Sequence, residues 1–462
     1  MAIACLVVVA SGVALSRVTD NTKPPVYEMA ATDNVIINQD GLINAHNSPT
    51  VVQSPADANT LVVVDRVDRP TRSGAVHVSH DFGRTWKDEA LKLPAGTTDQ
   101  GFAPDAVFTK DGTLVVAFST VPGSGAIPTG VWVSTSADKG DTLSDPVQAL
   151  GPYNVQVRLA ADPSSGDVYM TWLQGDQAAM PESCLPCFAR TGLPIMAARS
   201  SDAGKTWSAP VRVSDDGRER VGAATPVVGP NGSVYVAYMD YKDDKDDWEN
   251  TDAAPTTSKF EVVLARSTDK GASFGKGVSV DPDLRTLERF LVFFPKYPAL
   301  AVSPAGDLYV AWQDARRGDY DVFVRRSVDA GQSWNGPFRV NDDPAGNGRH
   351  QYLPTLSASV AGRVDILYYD RRDDPRNILA GAYFATSYDN GEDWQSLPVS
   401  SQLFDSRIGP GAERKNPDPG SHLGLISLPD GAYGVWSDSR KGSLDTDRQD
   451  IVGGKVVITK KT

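Results

Sequence analysis

One eight-residue frame recurs six times in this chain, and a recurrence at that spacing dictates the architecture before any local propensity is weighed. Ser-x-Asp-x-Gly-x-Thr-Trp stands at residues 79–86 and again at 200–207. Variants in the same frame occupy 136–143, 267–274, 327–334 and 387–394, so successive copies start 57, 64, 67, 60 and 60 residues apart. The residue types are those of a hairpin turn. Asp accepts backbone N–H groups across the turn, Gly supplies a positive φ, and the closing aromatic packs beneath. Before the boxes come pairs of short strands joined by tight turns, as in residues 298–312. Such pairs begin near Pro49, Asp105, Arg158, Pro226, Pro298, Pro354 and Gly424, which makes seven pairs against six boxes. A third strand leads into each box and a fourth leaves it, as 320–326 and 338–340 illustrate. Each unit is therefore a four-stranded antiparallel blade. The expected fold is an all-β, seven-bladed propeller, with six blades as the alternative.

The seventh unit ends with the strand 451–458 and lacks both a box and a fourth strand. Residues 34–38 (Asn-Val-Ile-Ile-Asn) stand where a fourth strand stands elsewhere, and the expectation is that they close the last blade and remove its free edge. This divides the chain into a signal peptide or anchor at 1–16, a linker at 17–33 and a propeller at 34–459. Six boxes at this period resemble the Asp-box, BNR-repeat β-propellers of the sialidase (neuraminidase) superfamily, over nearly the whole chain. The resemblance implies an exported glycoside hydrolase acting through the face opposite the boxes. In the retaining members a Tyr nucleophile is helped by Glu, an Asp serves as acid and base, and three Arg clamp the substrate carboxylate. This chain departs from that pattern. It has no Arg-Ile-Pro motif, its first inner strand reads Ser48-Pro-Thr-Val-Val, and seven blades exceed the six of the familiar enzyme. A non-catalytic propeller binding glycan or protein, and a polysaccharide lyase, are the alternatives.

Blade connectivity puts the boxes and the 1-to-2 turns on one face, and the long polar 2-to-3 and 4-to-1 loops on the other, where a rigid scaffold usually carries its site. Aligning the second strands exposes a ring of Asp followed two positions later by a cation: Asp240 with Lys242, Asp314 with Arg316, Asp370 with Arg372, and Asp438 with Arg440. A pairing repeated in four blades reads first as structural, with one or two members free for chemistry. Tyr352, Asp370, Asp314 and Asp438 are the candidate catalytic residues. Arg349, Arg316, Arg371, Arg372, Arg440 and Arg220 are the candidate substrate-binding cations, with Arg218, Arg289, His350, Arg407 and Arg414 as further options. The acidic loop from Asp240 to Glu249 has no EF-hand spacing, and one Cys184-x-x-Cys187 pair without a second pair is weak zinc evidence and reads better as a local disulfide. No metal or other cofactor is expected.

Net charge is −13, which repels polyanions at long range and argues against a nucleic-acid partner. An anionic ligand would need a local Arg cluster. Residues 2–16 carry no charge and include the apolar run Cys5-Leu-Val-Val-Val-Ala10, too short to span a bilayer but suited to an export signal. A secreted or cell-surface monomer with a carbohydrate or glycoprotein partner is the expected form.

Overall fold

Seven antiparallel sheets make up the described chain, six of them built from consecutive strands and the seventh from strands at both ends; each has a path of four strands, and two carry one short strand more. The computed structural model describes residues 27–123, 127–177, 193–218, 220–242, 259–287, 296–410 and 419–461. The first strands are His46–Gln53, Gln100–Phe108, Asn154–Ala161, Val221–Val228, Ala299–Val302, Gln351–Ser357 and Gly424–Leu428. Each touches the first strand of the next sheet, and the seventh touches the first, so they form a closed ring. This is a seven-bladed propeller; the six-bladed alternative is excluded.

Blade packing explains why the second strands read as continuous apolar runs instead of alternating. Both faces of a middle strand meet a neighbouring blade. Leu61–Val67, Leu114–Val121, Val234–Asp240, Leu308–Asp314 and Val364–Asp370 are buried at every position. Outer strands such as Lys87–Glu89 are short and largely exposed, which blunts the sheet edges.

The boxes have the turn chemistry their residue types require. In the first, Ser79 Oγ donates to Asp81 Oδ1 (2.9 Å), Asp81 accepts the Thr85 N–H (2.9 Å) and the Thr85 hydroxyl (2.7 Å), and Trp86 Nε1 donates to the Gly83 carbonyl (3.1 Å). Each box glycine also leans on the blade before it. A Cβ added at Gly83 would meet the Tyr433 ring of blade 7, at Gly204 Val133 of blade 2, and at Gly331 Leu264 of blade 4. Gly331 combines φ +86° with a Leu264 methyl 2.3 Å from that virtual Cβ. Gly331→Ala is therefore expected to cost about 3 kcal/mol through overpacking and a strained φ. The check is a fall in the urea midpoint with unchanged slope; a loss below about 0.5 kcal/mol would contradict the blade-to-blade contact.

The ring closes through the chain's own beginning. Tyr27–Ala31 runs antiparallel to the last strand, pairing Tyr27 with Lys460 and Ala31 with Val456, and Val35–Ile36 pairs with Gly453 and Val452. Closure by an N-terminal strand is as the sequence implies, but it starts earlier than Asn34 and draws Tyr27–Ala31 out of the segment expected to be a linker. Tyr27 stacks on Tyr388 of blade 6 at 3.7 Å between ring centroids. The proposed signal or anchor at 1–16 lies outside the described residues.

Five of the seven inner strands carry the same irregularity near their starts. The register shifts between Asn47 and Thr50, Phe102 and Asp105, Val155 and Arg158, Gly222 and Thr225, and Tyr352 and Thr355. Each shift contains a non-glycine residue at positive φ: Ser48, Ala103, Gln156, Ala223 and Leu353. Bulges of this kind re-aim side chains, and strained backbone persists only where the surroundings hold it.

Candidate functional site

Three bulged inner strands, those of blades 1, 2 and 3, and the segments that enter the inner strands of blades 5 and 7 bring side chains together near the axis of the ring. Thr50 belongs to blade 1, Asp105 to blade 2 and Arg158 to blade 3, while Tyr297 immediately precedes the inner strand of blade 5 and His422 that of blade 7. Contacts among blades that are not neighbours can only be made across the central channel. The Arg158 guanidinium lies 5.2 Å from the Tyr297 ring centre, and Tyr297 meets His422 edge to face at 5.8 Å. Lys296 Nζ donates to the Gly420 carbonyl at 2.8 Å, holding these two crossings together.

A short hydrogen-bond chain sets the tautomer of His422. Thr50 Oγ1 donates to Asp105 Oδ1 at 2.7 Å and lies 3.1 Å from His422 Nε2. The one hydroxyl hydrogen of Thr50 is given to Asp105, so the threonine oxygen must accept from Nε2–H of His422. The lone pair is left on Nδ1, which is buried and has no hydrogen-bond partner among the described residues. Burial, followed by the charges of Arg158 and Arg66, holds the imidazole well below its ordinary pKa, so it is neutral. Burial pushes the Tyr297 hydroxyl up from its usual range, with Arg158 opposing. Asp105 also accepts the Leu159 N–H at 2.8 Å and lies 3.2 Å from Arg158 Nε. Arg158 Nη1, like His422 Nδ1, is buried without a hydrogen-bond partner among the described residues. A bare base and an unmatched cationic donor in one cluster are the kind of exception that binding or catalysis explains.

More cations flank this cluster. Arg66, buried and paired with Asp68 at 2.9 Å, lies 5.7 Å from the Phe102 ring, and Arg72 lies 5.9 Å from the same ring. The overall charge is negative, yet the mouth of the channel is locally basic.

The candidates read from the sequence sit elsewhere on this face. Asp314, Asp370 and Asp438 are buried in ion pairs with Arg316 (2.5 Å), Arg372 (2.7 Å) and Arg440 (2.6 Å), and each also accepts the N–H of that arginine. Arg316 bonds Asp281 as well, Arg372 bonds Asp342 and the Tyr368 hydroxyl, and Arg440 bonds Ser401 and Asn34. In blade 4 the partner changes. Asp240 pairs with Arg218 at 2.5 Å, and Lys242 supplies only its N–H to that carboxylate while its ammonium reaches the Pro282 carbonyl. The repeated pairs thus fix the ends of second strands, which is the structural role their repetition suggests.

Tyr352 is part of the core around Tyr369 and Phe404, with the Arg371 guanidinium 4.9 Å from its ring centre. Arg371 also donates to the Asn377 carbonyl at 3.1 Å. His350 accepts the Tyr320 N–H, and burial with the Arg371 charge holds its pKa at about 4. Arg349 and Arg220 are half-buried on the same rim, and Arg407 pairs with Asp405 at 2.6 Å. Arg289, Arg414, Cys184, Cys187 and most of the acidic loop after Lys242 lie outside the described residues. Tyr352 and Asp370 lie one step apart on paired strands of blade 6, while Asp314 and Asp438 belong to blades 5 and 7; the contacts made across the channel are those of Arg158, Tyr297 and His422, with Thr50 and Asp105 beside them. A usable signal for three of the five was the proline at the head of the inner strand, in Ser48-Pro49-Thr50, Ala103-Pro104-Asp105 and Tyr297-Pro298 of blades 1, 2 and 5.

Residues 27–310 match the profile of a family described as the BNR repeat-like domain. No curated protein matches the sequence. Among solved structures, a protein of unknown function from Dyadobacter fermentans DSM 18053 aligns at 14% identity over 93% of this chain and 99% of that one, with a TM-score of 0.50. A polysaccharide lyase named as an ulvan lyase aligns at 12% identity over 91% and 95%, also at 0.50. A Hadza microbial sialidase aligns at 16% identity over 86% and 76%, at 0.46. At such identities these likenesses concern the fold.

Proposed function

The chain belongs to the BNR repeat-like domain family, and from that premise we propose that it is a glycan-acting propeller that cleaves an acidic polysaccharide by β-elimination at the His422 cluster. The observation that carries this reading is the bare Nδ1 of a neutral imidazole, placed beside a tyrosine and two guanidiniums. Elimination from a uronate needs a base for the proton on the carbon next to the carboxylate, cations to neutralise that carboxylate, and an acid for the leaving oxygen. His422 Nδ1 takes the proton, Arg158 and Arg66 hold the carboxylate, and the Tyr297 hydroxyl donates to the glycosidic oxygen as the carbon–oxygen bond breaks. A carbon–carbon double bond forms at the new non-reducing end, and solvent returns the proton from His422 to Tyr297. The local cations answer the long-range repulsion expected from a charge of −13. The uncharged run at 2–16 supports export to where such polymers occur.

Sialidase-type hydrolysis is the second reading, favoured by a tyrosine lying beside Arg158. Against it, no carboxylate among the described residues hydrogen-bonds the Tyr297 hydroxyl, and a tyrosine nucleophile needs such a base. The test is a panel of polyuronates and a fluorogenic sialoside incubated with purified protein. Release of an ultraviolet-absorbing unsaturated uronide supports elimination. Sialoside cleavage without that product would transfer the site to hydrolysis, and inertness on both would leave a binding module.

The pH dependence has a definite sign. Because the native His422 pKa is depressed, the base stays neutral below the ordinary histidine value of about 6.5, and the acid limb of kcat/KM should fall below that value. In the unfolded chain the same residue takes up a proton near 6.5. Its contribution to stability is therefore complete above that pH and is lost as pH falls below it. An acid limb centred at or above 6.5 would show that another group is the base.

A further inference from the structure

We propose that His46, Asp65 and His77 form a structural site for a divalent cation of the zinc type, with Asp40 and Asp88 orienting the two imidazoles. This site is separate from the His422 cluster. His46 Nδ1 lies 2.7 Å from one oxygen of Asp65, and His77 Nε2 lies 2.6 Å from the other. One donor atom from each of the three residues falls within 4.8 Å of the others, and the rings are 6.1 Å apart. All three side chains are almost wholly buried, with relative exposures of 3%, 0% and 1%.

The outer nitrogens give the argument its force. His46 Nε2 faces Asp40 at 3.1 Å, and His77 Nδ1 faces Asp88 at 2.7 Å. Those carboxylates are themselves held: Asp40 accepts from Asn38 at 3.2 Å and from Asn44, and Asp88 accepts the Gln39 N–H at 3.0 Å. A histidine that ligates a metal typically donates its other ring N–H to a carboxylate fixed in this way. With the outer N–H groups given to Asp40 and Asp88, a cation between the rings and Asp65 would take the place of the inner protons and meet one lone pair from each imidazole. Two imidazole nitrogens and one carboxylate, with no thiolate, suit zinc better than magnesium or calcium.

Each inner nitrogen lies at hydrogen-bond distance from an Asp65 oxygen, so an ion entering between them displaces the protons of those two contacts, and binding releases protons. The charged groups facing the two rings are Asp40, Asp65 and Asp88, with Asp450 reached through Asn38. The five residues span the whole of blade 1. His46, Asp65, His77 and Asp88 come one from each of its strands, and Asp40 comes from the segment that arrives from blade 7. An ion there fastens the closing segment to the first blade.

The test is zinc titration of chelator-treated full-length protein, read by calorimetry in buffers of different ionisation enthalpy and by elemental analysis after dialysis. Wild type should bind one ion, release protons and gain melting temperature. Asp88→Asn should weaken binding by about 10- to 100-fold, and His46→Asn with His77→Asn should abolish it. Should the double variant fail to fold, wild-type stoichiometry and proton release decide alone. Absence of one-to-one uptake by wild type at sub-millimolar zinc overturns the proposal, as does equal uptake by a folded double variant.

Discussion

His422→Ala should lower kcat on an acidic polysaccharide by about a thousandfold while leaving the melting temperature close to that of wild type. The two halves of that expectation come from one observation. The Nδ1 lone pair is buried and unmatched among the described residues, so removing it forfeits the base yet leaves no new polar group stranded beyond the Thr50 oxygen, which keeps Asp105 as its acceptor. Tyr297→Phe keeps the ring contacts with Arg158 and His422 and deletes only the acid, so it should reduce kcat by about a hundredfold or more with little change in KM. Arg158→Lys should act chiefly on KM, because an ammonium cannot reproduce the planar donor set for a carboxylate. Single-turnover rates separate these effects. Full activity in both His422→Ala and Tyr297→Phe would remove the proposed chemistry from the channel.

Deleting residues 27–36 should be the most damaging single change to stability. It strips the partner from the last strand, Asp450–Lys460, and exposes a long, mostly buried edge where the other blades end in a short outer strand. It also removes the Tyr27 stack on Tyr388 and the bond from Asn34 Nδ2 to the Val399 carbonyl. A loss of about 5 kcal/mol is expected, comparable to the whole stability of many domains. Concentration-dependent association by light scattering, relieved by adding the peptide 27–36, is the measurement. A monomeric deletion variant melting like wild type would mean that the ring does not depend on this strand.

How much of this was legible in the sequence follows from the range of the interactions. The boxes are local: Ser79, Asp81, Gly83 and Thr85 satisfy one another within one turn, so residue type and spacing carry the geometry. The blade count followed from the same short-range signals. The Asp314 to Arg316 pairing was legible because both residues lie on one strand end, and its repetition marked it as architecture. The central cluster was not legible. Arg158, Tyr297 and His422 are far apart in sequence and meet across the ring, and the bulge beside Arg158 turns on Gln156, a positive-φ residue that is not a glycine. Blade 1's row of His46, Asp65 and His77 escaped for the same reason, since each residue lies on a different strand.

Because the outermost strand of the final wedge is the earliest described part of the polypeptide, synthesis and assembly run in opposite senses at this junction. Tyr27–Ala31 leaves the ribosome long before Asp450–Lys460 exists to receive it. Every other sheet can form from a contiguous stretch as it emerges, but this one must wait until Asp450–Lys460 has been made, which makes its docking the last closure among the described blades.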